Sequence, residues 1–185
     1  MKPPTPGYAF EVAAHDGHSR TGLLTTPHGE VPTPTFMPVG TQGSVKSLTP
    51  DEVARTGARI VLGNTYHLWL RPGPELISEL GGLHAFTRWG GAMLTDSGGF
   101  QAFSMADIRS FSEEGFVFRS HLDGSKRSLT PEEAMRVQGL LGADIAMQLD
   151  VCPAGEAMFE ELVRACATTT RWARRCLMAR REDQA

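Results

Sequence analysis

The sequence predicts an α/β fold built on a parallel sheet, and three observations carry that prediction. Four short runs, at 35–39, 59–63, 92–95 and 144–149, are apolar on both faces, as strands covered by helices must be. Segments with helix-start chemistry stand between them. Polar residues close three of the runs: Asn64 the second, Asp96 the third and Asp150 the fourth. In α/β proteins, ligands gather at the carboxyl ends of strands.

Each element follows from local chemistry. Residues 8–35 mix short alternating segments with Gly and Pro, which reads as an antiparallel ribbon. The segments 47–52 (Ser-Leu-Thr-Pro-Asp-Glu) and 128–133 (Ser-Leu-Thr-Pro-Glu-Glu) are near copies. Each places a Thr (Thr49, Thr130) at an N-cap, a Pro at the first helical position and a Glu three residues after the cap, so each opens a helix. In the second helix Ala134, Val137 and Leu141 share one face, with Leu140 beside them. Further helices are expected over 75–80, stopped by Gly81-Gly82, and over 156–181. Residues 116–125 read as a hairpin insertion turning at Asp123-Gly124. About four βα units result, too few to close an eight-stranded barrel. The sheet is either an open, doubly wound one or the first half of a barrel.

At 185 residues, 41% hydrophobic and 21% charged, the chain suits a single globular domain over 1–185. It has no apolar leader segment and no apolar run long enough to span a bilayer, so a cytoplasmic protein is expected. Cys152, Cys166 and Cys176 show neither a paired framework nor CxxC spacing, so free thiols and no metal within 1–185 are expected. A net charge of −3 excludes a basic nucleic-acid footprint over the whole chain, though not a local one. The six arginines of 164–181 read as the solvated face of a helix.

The chemistry concentrates in 93–101, Met-Leu-Thr-Asp-Ser-Gly-Gly-Phe-Gln. Asp96 can exchange a proton, Gly98 and Gly99 let backbone approach a ligand, Phe100 offers a stacking face, and Gln101 both donates and accepts. Such a turn can hold a flat heterocycle. With Asn64 and Asp150 it makes a candidate site in which neighbouring carboxylates would repel and raise one pKa. A carboxylate pair also suits glycoside hydrolysis. Cys152 either lines this pocket or packs as a small buried hydrophobe. His67 and His121 are acid/base candidates whose simpler role is structural hydrogen bonding.

At these residues the chain resembles the tRNA-guanine transglycosylases, also called queuine tRNA-ribosyltransferases. The resemblance rests on Asn64-Thr65-Tyr66-His67-Leu68 with Arg71-Pro72-Gly73, on 94–101, on 118–125 and on 141–145, all in the family's order. It runs from about Tyr8 to Leu177. It implies a TIM-type (β/α)8 barrel, here partial, with an antiparallel ribbon at 1–35 and about four βα units at 36–185. It further implies exchange of guanine at the tRNA wobble position for a 7-deazaguanine, preQ1 or queuine. The family's nucleophilic aspartate attacks ribose C1′, and two inversions give retention.

By position, Asp96 is then the general acid/base, Phe100 the stacking ring, and Ser97, Gly98 and Gly99 the pocket backbone. Asp150 is the carboxylate that reads the guanine edge, with Cys152 beside it. Many bacterial members read Asp-Glu-Cys where this chain has Asp150-Val151-Cys152, which leaves the choice of base open. The family's Gly-rich base loop, its nucleophile, its tRNA-binding segment and its zinc site of three Cys and one His find no match. The chain is therefore expected to be an amino-terminal half with no metal of its own, tRNA and a guanine-like base as partners, and a homodimer as the full-length state.

Overall fold

The computed structural model describes residues 6–104 and 107–180, with backbone alone at 107–111. The predicted end of the last helix and the sixth arginine of its cluster, Arg181, lie outside the described residues. The chain opens with β1 (Ala9–Asp16), β2 (Ser19–Thr26) and β3 (Gly29–Thr33), an antiparallel sheet in the order β1-β2-β3. This is the expected ribbon. Val31 is its buried anchor, packed on Ile60 and Ala92, the first residues of the strands β5 (Ile60–Gly63) and β6 (Ala92–Thr95), so the ribbon covers the amino end of the parallel sheet.

That parallel sheet begins at β4 (Val39–Gly40), followed by α1 (Pro50–Arg55) and β5. The helices α2 (Thr65–Leu70), α3 (Pro74–Glu79) and α4 (Gly82–Thr87) lead to β6, and α5 (Gly99–Ser104) follows it. Next come β7 (Asp107–Ser112), β8 (Gly115–Arg119) and β9 (Lys126–Leu129), an antiparallel insertion. The helix α6 (Pro131–Leu141), the strand β10 (Ile145–Ala146) and the helix α7 (Phe159–Ala179) complete the chain. The four parallel strands lie side by side in chain order, β4-β5-β6-β10, without the reversal that marks a doubly wound sheet. The fold is thus mixed α/β, with two antiparallel sheets flanking one parallel sheet.

Two strands are shorter than their apolar runs. The expected strand at 35–39 narrows to Val39–Gly40, because Pro38 has no N–H to donate; its carbonyl still accepts from Leu62 N at 3.0 Å. The run at 144–149 contributes only Ile145–Ala146, because at Met147 a side chain takes over part of the pairing. The Gln138 amide accepts from Met147 N at 2.9 Å and donates to Met147 O at 2.8 Å. The hairpin of 116–125 is present, with Gly124 N bonded to Ser120 O at 2.8 Å, and β7 extends it to three strands.

Both Thr-Pro starts cap helices. Thr49 and Glu52 form a reciprocal box around α1, whereas Thr130 accepts from Glu133 N at 3.1 Å without reciprocation, Arg136 having bound both Glu133 oxygens. The face of α6 bearing Ala134, Val137 and Leu141 is buried as expected, and Leu140 is half-buried.

Trp172 anchors α7. It is fully buried, packs edge-on against Phe116 with ring centroids 5.4 Å apart, and donates from Nε1 to Glu113 O at 2.8 Å. The outward arginines meet carboxylates: Arg171 grips Glu113 and Arg175 grips Glu132, each by two 2.7 Å bonds. This is a solvated helix face, as its charge pattern implied. Among the described residues no helix is long and apolar enough to cross a membrane.

Candidate functional site

The Asp96 turn is built by contacts from β5 and α2. Asp96 N continues the parallel pairing to Gly63 O at 3.2 Å, and then the chain leaves the sheet. The carboxylate turns inward: Oδ1 accepts from Thr65 N at 2.9 Å and Gly98 N at 3.1 Å, and Oδ2 accepts from Asn64 Nδ2 at 2.6 Å. Asn64 serves twice, since its Oδ1 also caps α2 by accepting from His67 N at 3.1 Å. Gly98 is required here. Its φ is +76°, and a Cβ would stand 3.1 Å from Tyr66 N.

Asp150 arrives on the segment after β10. Its Oδ1 accepts from Ser97 Oγ at 2.8 Å and its Oδ2 from Cys152 Sγ at 3.1 Å, while Ser97 Oγ itself accepts from Gly99 N at 3.2 Å. Three ties fix the segment. Val151 N donates to Thr169 Oγ1 at 3.0 Å, Leu149 N donates to Cys176 Sγ at 3.5 Å, and buried Gln138 bridges Met147 to Thr95, whose hydroxyl it accepts at 2.9 Å.

Asp96, Ser97, Gly98, Phe100, Gln101, Asp150 and Cys152 line one cavity of about 460 Å³. Gly99 is buried behind it, close to the Asp150 backbone, and Phe100 is 56% exposed with its ring available. An apolar cavity of about 290 Å³ between Val45, Leu48, Val61 and Phe86 holds no ionisable side chain and offers no comparable chemistry.

Electrostatics act on Asp96 and on Cys152. Burial pushes the Asp96 carboxyl above its usual range, the Asp150 charge adds to the rise, and the donors from Thr65, Gly98 and Asn64 offset only part of it. Burial and the Asp150 carboxylate push the Cys152 thiol up to about 12, so at neutral pH it is a hydrogen-bond donor and not a nucleophile. Among the described residues Asp150 accepts a single bond at each oxygen, leaving lone pairs for an adjacent pair of ligand N–H groups.

The structure brings together every expected pocket residue except two. Asn64 supports Asp96 instead of lining the cavity, and Gly99 backs the cavity wall. Cys152 lines it, against the buried-hydrophobe reading. His121 finds a partner in Tyr66, Oη to Nδ1 2.9 Å, and His67 packs edge-on against the Tyr66 ring. Burial, then the His121 charge, lowers the His67 pKa. Sequence reasoning missed Thr65, Gln138 and Thr169. The one legible signal was Gln138, an amide set in the apolar face of α6.

Comparison with known proteins decides the family. The family model described as queuine tRNA-ribosyltransferase matches residues 16–185. The chain belongs to the queuine tRNA-ribosyltransferase family. A queuine tRNA-ribosyltransferase of Sorangium cellulosum is 74% identical over 181 residues, 98% of this chain and 46% of the relative. Proteins of the same name from Desulforamulus reducens (58% identical; 90% of this chain, 45% of the relative) and Moorella thermoacetica (57%; 97% and 49%) match similarly. The chain spans about half the length of the curated relatives it matches, and that half includes both carboxylates of the cavity.

Proposed function

We propose that the cavity between Asp96 and Asp150 binds a guanine-like base, and that this chain supplies the amino-terminal half of a transglycosylase exchanging tRNA guanine for a 7-deazaguanine. The observation that carries this reading is a single cavity holding an exposed aromatic face, a carboxylate with free lone pairs and a second carboxylate raised by burial. Asp150 accepts the adjacent N–H donors of a guanine edge, and Phe100 stacks on the ring. Ser97, Gly98 and Gly99 set the pocket backbone, and Cys152 orients Asp150. The departing base must gain a proton and the incoming one must lose a proton. Asp96, with its raised pKa, suits both transfers. The wobble nucleotide leaves its stack to reach the site.

The sequential strand order supports a partial (β/α)8 barrel, continued by units that the longer relatives carry. The nucleophile and the zinc ligands implied by the resemblance belong to that continuation, as do much of the tRNA contact and a homodimer interface. A cytoplasmic setting fits this chemistry. A second reading rests on the same cavity: a base-binding or subunit-pairing module without catalysis.

One experiment separates the two. Exchange of labelled guanine into tRNA is measured with the chain alone, and again with the carboxyl-terminal half of the Sorangium relative added. The catalytic reading expects exchange only with the added half, and the module reading expects calorimetric guanine binding with no exchange in either mixture. Absence of binding to guanine and preQ1 would overturn the catalytic reading and the base-binding form of the module.

A further inference from the structure

A second polar centre lies at the amino ends of the parallel strands, opposite the cavity. Asp144, immediately before β10, has a side chain only 1% exposed, and its Oδ2 accepts from Met93 N of β6 at 2.8 Å. His28, in the turn between β2 and β3, places Nδ1 2.6 Å from Asp144 Oδ1. His84, in α4, places Nε2 3.2 Å from Oδ2. The two imidazoles stack face to face, centroids 3.5 Å apart and planes 9° from parallel.

His84 Nε2 thus lies within ion-pair distance of Asp144, yet it is buried and makes no hydrogen bond among the described residues. A buried nitrogen left in that state has given up its hydration for nothing in return. A cation taking its lone pair removes the deficit. The three ligand atoms lie within 4.8 Å of one another, and among the described residues this is the one such trio of His, Cys or carboxylate groups.

We propose that His28, His84 and Asp144 bind a divalent transition ion of borderline softness, such as Zn²⁺, which fastens the amino-terminal ribbon to the βα body. Two imidazole nitrogens and one carboxylate oxygen are a ligand set that such ions favour. Bonds of about 2.0–2.2 Å in a tetrahedron hold ligand atoms roughly 3.4 Å apart. His28 Nδ1 must therefore withdraw slightly from Asp144, and the stacked rings must splay. His28 has that freedom: its side chain is 38% exposed, on a turn continued by Gly29 at φ +117°. His84 and Asp144 are held by packing, and water completes the coordination on the His28 side.

The role is mechanical. The trio sits at the strand ends away from Asp96 and Asp150 and joins residues 116 positions apart. It is also distinct from the three-Cys, one-His zinc site that the resemblance implies. Cysteine spacing, on which the expectation of no metal in this chain rested, carries no information about it.

The test uses the whole 185-residue chain, stripped with chelator and titrated with Zn²⁺ and with Co²⁺. One equivalent of Zn²⁺ is expected to bind, raising Tm by about 5–10 °C at a hundredfold excess over Kd. Co²⁺ should give d–d bands without thiolate charge transfer. His28→Gln and His84→Gln should each weaken binding more than about tenfold, and His15→Gln, on exposed β1, should leave it unchanged. Because His84→Gln also disturbs buried packing, the turn variant His28→Gln decides. Absence of a Tm rise, binding that survives His28→Gln, or a cobalt–thiolate band would each overturn the proposal.

Discussion

Gly99→Ala tests whether the Asp96 turn and the Asp150 segment are truly in contact. Gly99 is not in the left-handed region, so at the start of α5 an alanine would ordinarily stabilise by about 0.4–1 kcal/mol. Crowding reverses the sign. A Cβ would stand 2.9 Å from Asp150 O, 3.2 Å from Leu149 Cδ1 and 3.3 Å from Ser97 Oγ. The first of these is a backbone atom and cannot rotate away, so the 149–150 segment must retreat by about half an ångström to restore ordinary contact. Overpacking of this kind costs about 1–3 kcal/mol, read as a lower midpoint in urea unfolding at unchanged m. Displacing Asp150 also spoils its bond from Ser97 and should weaken guanine binding about tenfold by calorimetry, in proportion to the roughly hundredfold penalty of a 1 Å misplacement. A variant as stable as the parent, or one binding guanine equally well, would refute the packing of these two segments.

Gln138→Leu removes the amide joining Thr95 to Met147 and strands a buried hydroxyl and a carbonyl; Met147 N keeps its 3.1 Å bond to Thr95 O. The loss should be about 2–4 kcal/mol in chemical denaturation, and a change below about 1 kcal/mol would contradict the bridge. Asp96 sets a pH dependence: its folded pKa lies above the ordinary 3.8, so its contribution is fully present below that value and is lost as pH rises through the folded pKa. The stability of the parent relative to Asp96→Asn should therefore fall from acid towards neutral pH, and a flat or rising difference would show that Asp96 is not raised. Timed alkylation at pH 8 with mass spectrometry should modify exposed Cys166 well before Cys152, whose thiol is pushed up to about 12, or buried Cys176. Equal rates at Cys152 and Cys166 would contradict the protonated thiol beside Asp150.

The sequence was most informative where one residue's chemistry dictates its surroundings. Thr49-Pro50 and Thr130-Pro131 announced helix starts because hydroxyl caps and fixed φ act locally. The Asp123-Gly124 turn and the apolar cores of β5 and β6 were legible for the same reason. Lengths and connections were not. Whether an apolar run pairs along its whole length depends on its neighbours: Pro38 withholds a donor from β4, and Gln138, nine residues upstream of Met147, intervenes where β10 would have continued. The short helices α2, α4 and α5 escaped notice because six residues show too little periodicity and, unlike α1 and α3, they have no Pro in the first turn; Gly82, which looks like a stop after α3, begins α4. Asp96 and Asp150 were recognisable as a candidate site from their strand ends, and both line one cavity. Asn64 and Gly99 were assigned to that site too, yet both act from behind it.

On the proposed reading, the two carboxylates of the cavity have different work. Asp150 accepts from a hydroxyl and a thiol at the cavity wall, groups that hold it in place while leaving it able to accept more, as recognition requires. Asp96 is already engaged by three donors: the Asn64 amide between β5 and α2, Thr65 N at the start of α2, and Gly98 N of its own turn. Burial wins that contest, and the carboxyl stays raised. A proton carrier must part from one of these donors when a base arrives. Thr65 N and Gly98 N are fixed by backbone and share Oδ1, so the contact that can yield is the 2.6 Å bond from the Asn64 amide to Oδ2. Asn64 remains tied to His67 N whichever way Asp96 turns, so α2 keeps its cap while the carboxylate is free to move. The helix cap and the proposed proton carrier thus rest on different atoms of Asn64, Oδ1 for the cap and Nδ2 for the carboxylate.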